Sequence, residues 1–219
     1  MVNGRCGTAL VLGTGGRALA MLHDRWHRET GRPPAASLNG TALAATAHIA
    51  AFLQSQRIAC TLVTFEGRHR LRAERLGEAA GFGAVSPVSG LLLHPDYGPW
   101  LRVRAALLCE GMPFGAVADA SIAEQFHPCC GCSRPCVTAC PVSVHDGMGH
   151  HDLARCGSHR SAGGCRTECS TRGACPLGSE HRDVEGEQSH RHTYELASLQ
   201  RWFGLGIWRL VPKPWRGGP

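Results

Sequence analysis

Nine of the chain's twelve cysteines fall between positions 129 and 175 of its 219 residues. The first group reads Cys129-Cys-Gly-Cys132-Ser-Arg-Pro-Cys136-Val-Thr-Ala-Cys140-Pro141, which counted from Cys129 is C-x2-C-x3-C-x3-C-P. A C-x2-C loop lets two thiolates and the intervening amides wrap one face of an iron–sulfur cubane. In the bacterial run C-x2-C-x2-C-x3-C-P the fourth cysteine turns away and serves a second cluster. The present run differs by one extra residue. Cys156 follows alone, and then comes Cys165-Arg-Thr-Glu-Cys169-Ser-Thr-Arg-Gly-Ala-Cys175-Pro176, a looser echo that also ends in Cys-Pro. Two such endings predict crossed ligation. Cys129, Cys132, Cys136 and Cys175 are expected to hold one [4Fe–4S] cluster, and Cys140, Cys156, Cys165 and Cys169 a second. Cys130 is then spare, or takes the place of Cys129.

Two other chemistries use cysteines at such density. Zinc sites employ C-x2-C pairs, and a Cys3His site is conceivable among so many histidines. Zinc knuckles, however, rarely end twice in Cys-Pro and usually carry a longer spacer. Disulfides belong to exported chains, and no secretory signal opens this one. His127, His145, His150, His151, His159 and His181 are expected as solvated loop residues rather than ligands. Large aliphatics are sparse between 129 and 185, so bound metal is the expected organiser of this lobe.

The elements upstream must position that lobe. Thr8–Gly13 reads as a buried strand and Ala18–Trp26 as a helix. Gly13-x-Gly15-x-x-Ala18 between them matches a loose dinucleotide fingerprint. No Asp or Glu lies between Glu29 and Glu66 to bind a ribose, so a tight turn needing small residues is the expected reading. Residues 42–56 predict an Ala-rich helix with a Leu/Ile/Phe face, and Ile58–Phe65 a strand. Leu71–Ala80 predicts a helix closed by Gly81. Ser89–Leu93, the turn His94-Pro-Asp-Tyr-Gly98 and a strand over Trp100–Cys109 complete the segment. Strands alternating with helices indicate an α/β (α+β) layer architecture. Three segments are expected: an α/β domain over 1–120, a ferredoxin-like domain over 121–185, and an amphipathic tail over 186–219. In the tail Leu196, Leu199, Trp202, Phe203, Ile207 and Leu210 recur at helical spacing.

The net charge of +6, with Lys213 the sole lysine, is compatible with RNA, an acidic partner or simple solubility and selects none. No run of apolar residues is long enough to span a bilayer, and a cytoplasmic location is expected.

The stretch Ala73-Glu-Arg-Leu-Gly-Glu-Ala-Ala-Gly81-Phe-Gly83, followed by Gly90-Leu-Leu-Leu-His-Pro-Asp-Tyr-Gly98-Pro-Trp100-Leu, resembles the epoxyqueuosine reductase family. There a segment of the type L-E-R-x-x-A-x-x-A-G-L-G-W-x-G-K-x-x-L-L-x-P-x-x-G-S-W precedes the dicluster cysteine run. The resemblance covers roughly residues 58–178. It implies a cobalamin-binding α/β domain followed by two [4Fe–4S] clusters, with electrons arriving from a ferredoxin- or flavodoxin-type donor. It also implies a proton-donating acid just before the L-E-R element, where Glu66 is the nearest candidate, one position out of register. The family's Gly-Trp-x-Gly-Lys becomes Gly83-Ala84-Val85-Ser86-Pro87 here, without the aromatic residue or the lysine. The chain also stops soon after the second cysteine run, without the helical-repeat extension of many tRNA-acting members. A small-molecule or corrinoid substrate is therefore expected in preference to tRNA. Two readings stand side by side. One is a cobalamin- and iron–sulfur-dependent reductase; the other is a non-catalytic electron carrier that kept the scaffold without cobalamin.

Overall fold

The computed structural model describes residues 7–31, 38–64, 73–115, 125–165 and 168–182. Glu66 and the 186–219 tail lie outside the described residues. The chain divides into two compact units, Met1–Ala84 with Leu101–Phe126, and Val85–Trp100 with His127–Pro219. Residues 85–100, grouped with the first segment on sequence, thus belong with the cysteine-bearing unit.

In the first unit, β1 (Gly7–Gly15), β2 (Cys60–Thr64) and the central strand β5 (Leu101–Glu110) form a sheet in the order β1-β5-β2. Both pairings are antiparallel, from Gly7↔Glu110 to Gly15↔Leu101 and from Cys60↔Cys109 to Thr64↔Ala105. β1 and β2 therefore run the same way with β5 between them, a split β-α-β arrangement. The connecting helices are α1 (Ala18–Thr30) and α2 (Leu38–Ser55). Helices and strands do alternate, but the sheet they build is antiparallel, so the unit is a mixed α+β layer.

Ala42, Thr46, Ile49 and Leu53 recur at intervals of four, three and four, which puts them on one face of α2. Leu53 packs with Leu107 and Cys109 of β5, and Leu10, Leu12, Ile49 and Ile58 surround them. Phe52 stands off that stripe and is 63% exposed, so the apolar face holds Leu and Ile without the expected Phe. β1 bulges between Leu12 and Gly13. A Cβ on Gly13 would stand 3.0 Å from the Phe82 ring, just beyond α3 (Ala73–Ala79). Gly13 and Gly15 lie inside the strand rather than in a phosphate loop, and Gly13 is small because an aromatic ring lies on it.

A two-stranded ladder pairs β3 (Ala84–Val85) with β4 (Leu92–Leu93). In the second unit Val88, Leu92, Leu93 and Trp100 are buried, as is Val144, so among the described residues 85–100 supply most of the buried apolar side chains there. The helices of the cysteine segment are short: α4 (Pro135–Thr138), α5 (Leu153–Ser161) and α6 (Ser170–Gly173). Asp152 caps α5 by accepting the Arg155 N–H at 2.8 Å, the usual role of Asp at that position. Among the described residues no helix is long and apolar enough to cross a membrane.

The turn after β4 is held by a histidine. His94 Nδ1 accepts the N–H groups of Asp96 (3.0 Å) and Tyr97 (3.2 Å), so its proton must sit on Nε2 and the ring is neutral. Burial holds its pKa below the ordinary 6.5, with Asp96 opposing and His181 reinforcing the shift. A histidine whose folded-state pKa lies below its unfolded one contributes stability above the unfolded value. That contribution is lost as pH falls from there through the folded value. Unfolding by urea at pH 7 and pH 5 is expected to show this loss. His94→Ala should flatten it while costing about 1–2 kcal/mol at pH 7, because two backbone donors lose their acceptor.

Candidate metal centre

Four thiols drawn from both cysteine runs line one cavity of about 240 Å³ in the second unit: Cys129, Cys132, Cys136 and Cys175. Its wall also includes Ser86, Val88, Leu91 and Leu93 of the upstream segment, Thr171 and Leu177, and the cationic Arg134. The local backbone explains how four sulfurs reach it. Arg134 takes a left-handed conformation (φ 58°) and Pro135 opens α4, which turns the chain between Cys132 and Cys136. α4 packs beside α6, and Cys175 follows α6 directly.

Each of these thiols meets a hydrogen-bond donor. The Arg134 N–H points at Cys132 Sγ at 3.4 Å. The main-chain N–H groups of Cys136 and Val137 beside Cys136, and of Leu177 beside Cys175, favour the ionised thiols. Ser86 Oγ lies 3.3 Å from Cys129 Sγ. Burial nevertheless raises the Cys136 thiol pKa, and the proximity of Cys129 and Cys132 adds to the rise. Cys175 is likewise raised by burial, against the Leu177 N–H, with Cys136, Cys129 and Cys132 pushing upward. The raised Cys136 and Cys175 thiols ionise more readily once a cation compensates them, which is the electrostatic condition for a metal site.

Of the remaining predicted ligands, Cys140, Cys156 and Cys165 are half-buried and Cys169 is exposed. Cys156, on α5, has its thiol pKa raised first by burial, then by Cys169, with Cys140 and Cys165 contributing in the same direction and Arg160 opposing. All four are therefore electrostatic neighbours. Cys165 itself sits at φ +48°, a conformation that costs a non-glycine residue on the order of 1 kcal/mol. Such strain persists where the surroundings require a particular side-chain direction. Cys130 is exposed and does not line the cavity, whereas Cys129 does. None of the described cysteines is in a disulfide.

Four thiols around one cavity are a donor set that both zinc sites and iron–sulfur clusters use. Zinc requires four donors converging to roughly 2.3 Å from one centre. Among the described residues no group of three or more His, Cys, Asp or Glu converges so as to hold one ion. The first four thiols stand instead around a volume many times that of an ion. All-thiolate ligation, mostly apolar walls and N–H···S contacts are the environment that [4Fe–4S] cubanes use.

The histidines differ in part from expectation. His127 and His150 are exposed. His159 belongs to α5 rather than a loop, with its ring against Gly164. His145 and His151 stack edge to face with centroids 4.9 Å apart, and His145 Nδ1 and His151 Nε2 are buried. They form a packed pair because an isolated antiparallel bridge pairs the backbones of the two residues. Sequence reasoning missed Ser86, whose side chain reaches a cysteine 43 positions away. A Ser followed by Pro gives no local signal of that contact.

No protein-family model and no curated protein sequence matches the chain. The chain is similar to two crystal structures of epoxyqueuosine reductase. One contains an epoxyqueuosine-modified tRNA-Tyr stem loop; identity is 19% and the TM-score 0.44, over 77% of this chain and 42% of that one. The other is a selenomethionine-labelled form, with 20% identity and a TM-score of 0.46 over 93% of this chain and 52% of that one. The chain thus spans about half the length of the structures it matches.

Proposed function

We propose that this chain is an iron–sulfur redox protein whose second unit holds two [4Fe–4S] clusters. Cys129, Cys132, Cys136 and Cys175 ligate one, and Cys140, Cys156, Cys165 and Cys169 ligate the other. The observation that carries the reading is that thiols from both Cys-Pro runs meet around a single cavity. The clusters supply one-electron steps at low potential. The residues of this chain fix the sulfurs, donate N–H groups to them and keep water out with Val88, Leu91 and Leu93. An electron donor of ferredoxin or flavodoxin type would reach the clusters from solution.

Within that reading we favour a cobalamin-linked reductase related to epoxyqueuosine reductase, with a small-molecule or corrinoid substrate. Support comes from the family-like segment 73–101 standing ahead of the cysteine runs, and Glu66 is the candidate proton donor. The second reading, an electron-transfer protein without cobalamin, is favoured by Ala84 and Pro87 standing where the resembled motif has Trp and Lys. Because one similar structure contains a tRNA stem loop, such a stem loop belongs among the ligands tested.

Anaerobic reconstitution followed by iron and sulfide counting tests the cluster assignment. About eight Fe per chain and two interacting spins on reduction are expected. A pale protein without iron overturns it. Titration of the holoprotein with hydroxocobalamin separates the two readings: a corrin spectral shift supports the reductase, and none leaves the electron carrier.

A further inference from the structure

The cavity lined by Cys129, Cys132, Cys136 and Cys175 has one wall contact that the cysteine spacing does not call for. Ser86 Oγ accepts the N–H of Val88 at 3.1 Å and the N–H of Ser89 at 3.0 Å. It also lies 3.3 Å from Cys129 Sγ. A hydroxyl offers two lone pairs and one proton. The two amides engage the lone pairs, so the proton is left for the sulfur. Once Cys129 is a metal-bound thiolate it has no proton of its own, and the serine is the only possible donor of the two.

The hydroxyl is held there rigidly. The Ser86 N–H donates to the Leu91 carbonyl at 2.8 Å, and the Ser86 carbonyl accepts the Gly90 N–H at 2.9 Å. Ser86 is 3% exposed, so water does not compete for it. Among the described residues, the donors identified for Cys132, Cys136 and Cys175 are main-chain amides. Ser86 is thus the donor that a single substitution can remove. The Gly-Trp-x-Gly-Lys motif resembled by residues 83–87 has glycine at this place, so the hydroxyl is this chain's own feature.

We propose that Ser86 is a positioning residue that raises the reduction potential of the cluster bound through Cys129. The inference rests on the cluster reading above. Reduction adds one electron, and the extra negative charge spreads over the cluster and its thiolate sulfurs. A fixed O–H dipole aimed at one sulfur stabilises the reduced state more than the oxidised one. No bond to the serine forms or breaks. Burial strengthens the effect because little solvent screens it.

Reconstituted wild-type and Ser86→Ala proteins are compared by redox titration monitored with electron paramagnetic resonance. The expected result is unchanged iron content and one midpoint lowered by about tenfold in the reduction equilibrium, about 59 mV for a one-electron couple. The other midpoint stays in place. The D2O shift of the iron–sulfur stretches should be smaller in the variant than in the wild type, the remainder coming from main-chain N–H donors such as that of Arg134, a signature that a merely structural role would not produce. Ser86→Cys, a weaker donor, should fall between the two. Iron-loaded Ser86→Ala with both midpoints unchanged overturns the inference and leaves the clusters standing. A wild-type protein that takes up no iron overturns the cluster reading and the inference with it. If Ser86→Ala fails to load, a Ser86→Cys midpoint equal to the wild type overturns the inference, and a lowered one supports it.

Discussion

Replacing Cys175 by alanine is expected to halve the iron of the reconstituted protein, from about eight to about four per chain. Cys175 lies beyond α6, far along the chain from Cys129, Cys132 and Cys136, yet it lines the same cavity. If ligation instead followed chain order, Cys175 would serve the cluster of Cys165 and Cys169. Crossed ligation makes a different prediction in double variants. Cys175→Ala combined with Cys129→Ala removes the same cluster twice and still leaves about four Fe. Cys175→Ala combined with Cys169→Ala removes both clusters. Iron counts on these two proteins separate the schemes. Because metal binding in such a segment is also folding energy, the single variant should melt earlier. Retention of all eight irons in Cys175→Ala would sink the assignment.

Gly98→Ala is expected to destabilise the second unit by about 3 kcal/mol or more and to lose the same cluster. Gly98 has φ +53°, and a Cβ there would overlap the Leu177 carbonyl; Gly178, at φ +62°, stands equally tight against Tyr97. Two loops therefore lie backbone on backbone, with no room for a methyl group. Leu177 is two residues from Cys175 and lines the same cavity, so a shift of this loop moves a predicted ligand. Gly31→Ala is the control, since Gly31 also has a positive φ (+68°) but open space around it. It should cost only about 1 kcal/mol of backbone strain and leave iron content unchanged. Thermal melts and iron analysis of the two variants give the comparison.

Much of the local structure was legible because it depends on neighbouring residues. The helical pattern from Ala18, the alanine-rich run of α2 and the aliphatic stretch of β5 each carry their own signal, and those elements form, α1 running on past Trp26 to Thr30. The partner of β5 was not legible. Antiparallel pairing of β5 between β1 and β2 depends on which apolar faces meet, as Leu107 and Cys109 do with Leu53. The Phe52 side chain illustrates the same limit: composition put it on the helix's apolar face, and packing left it outside.

The cysteine segment divides in the same way. Residue type and spacing alone named eight thiols, paired the two Cys-Pro runs and implied that metal rather than apolar burial organises that stretch, because ligand chemistry is written in the residues themselves. Tertiary structure decided three further things. Cys129 faces the cavity and Cys130 does not. Residues 85–100 furnish the apolar wall and the Ser86 hydroxyl. Left-handed turns at Arg134 and Cys165 aim the backbone. Those outcomes depend on contacts between residues tens of positions apart, and such contacts are set by the closure of the whole unit rather than by any local run of the chain.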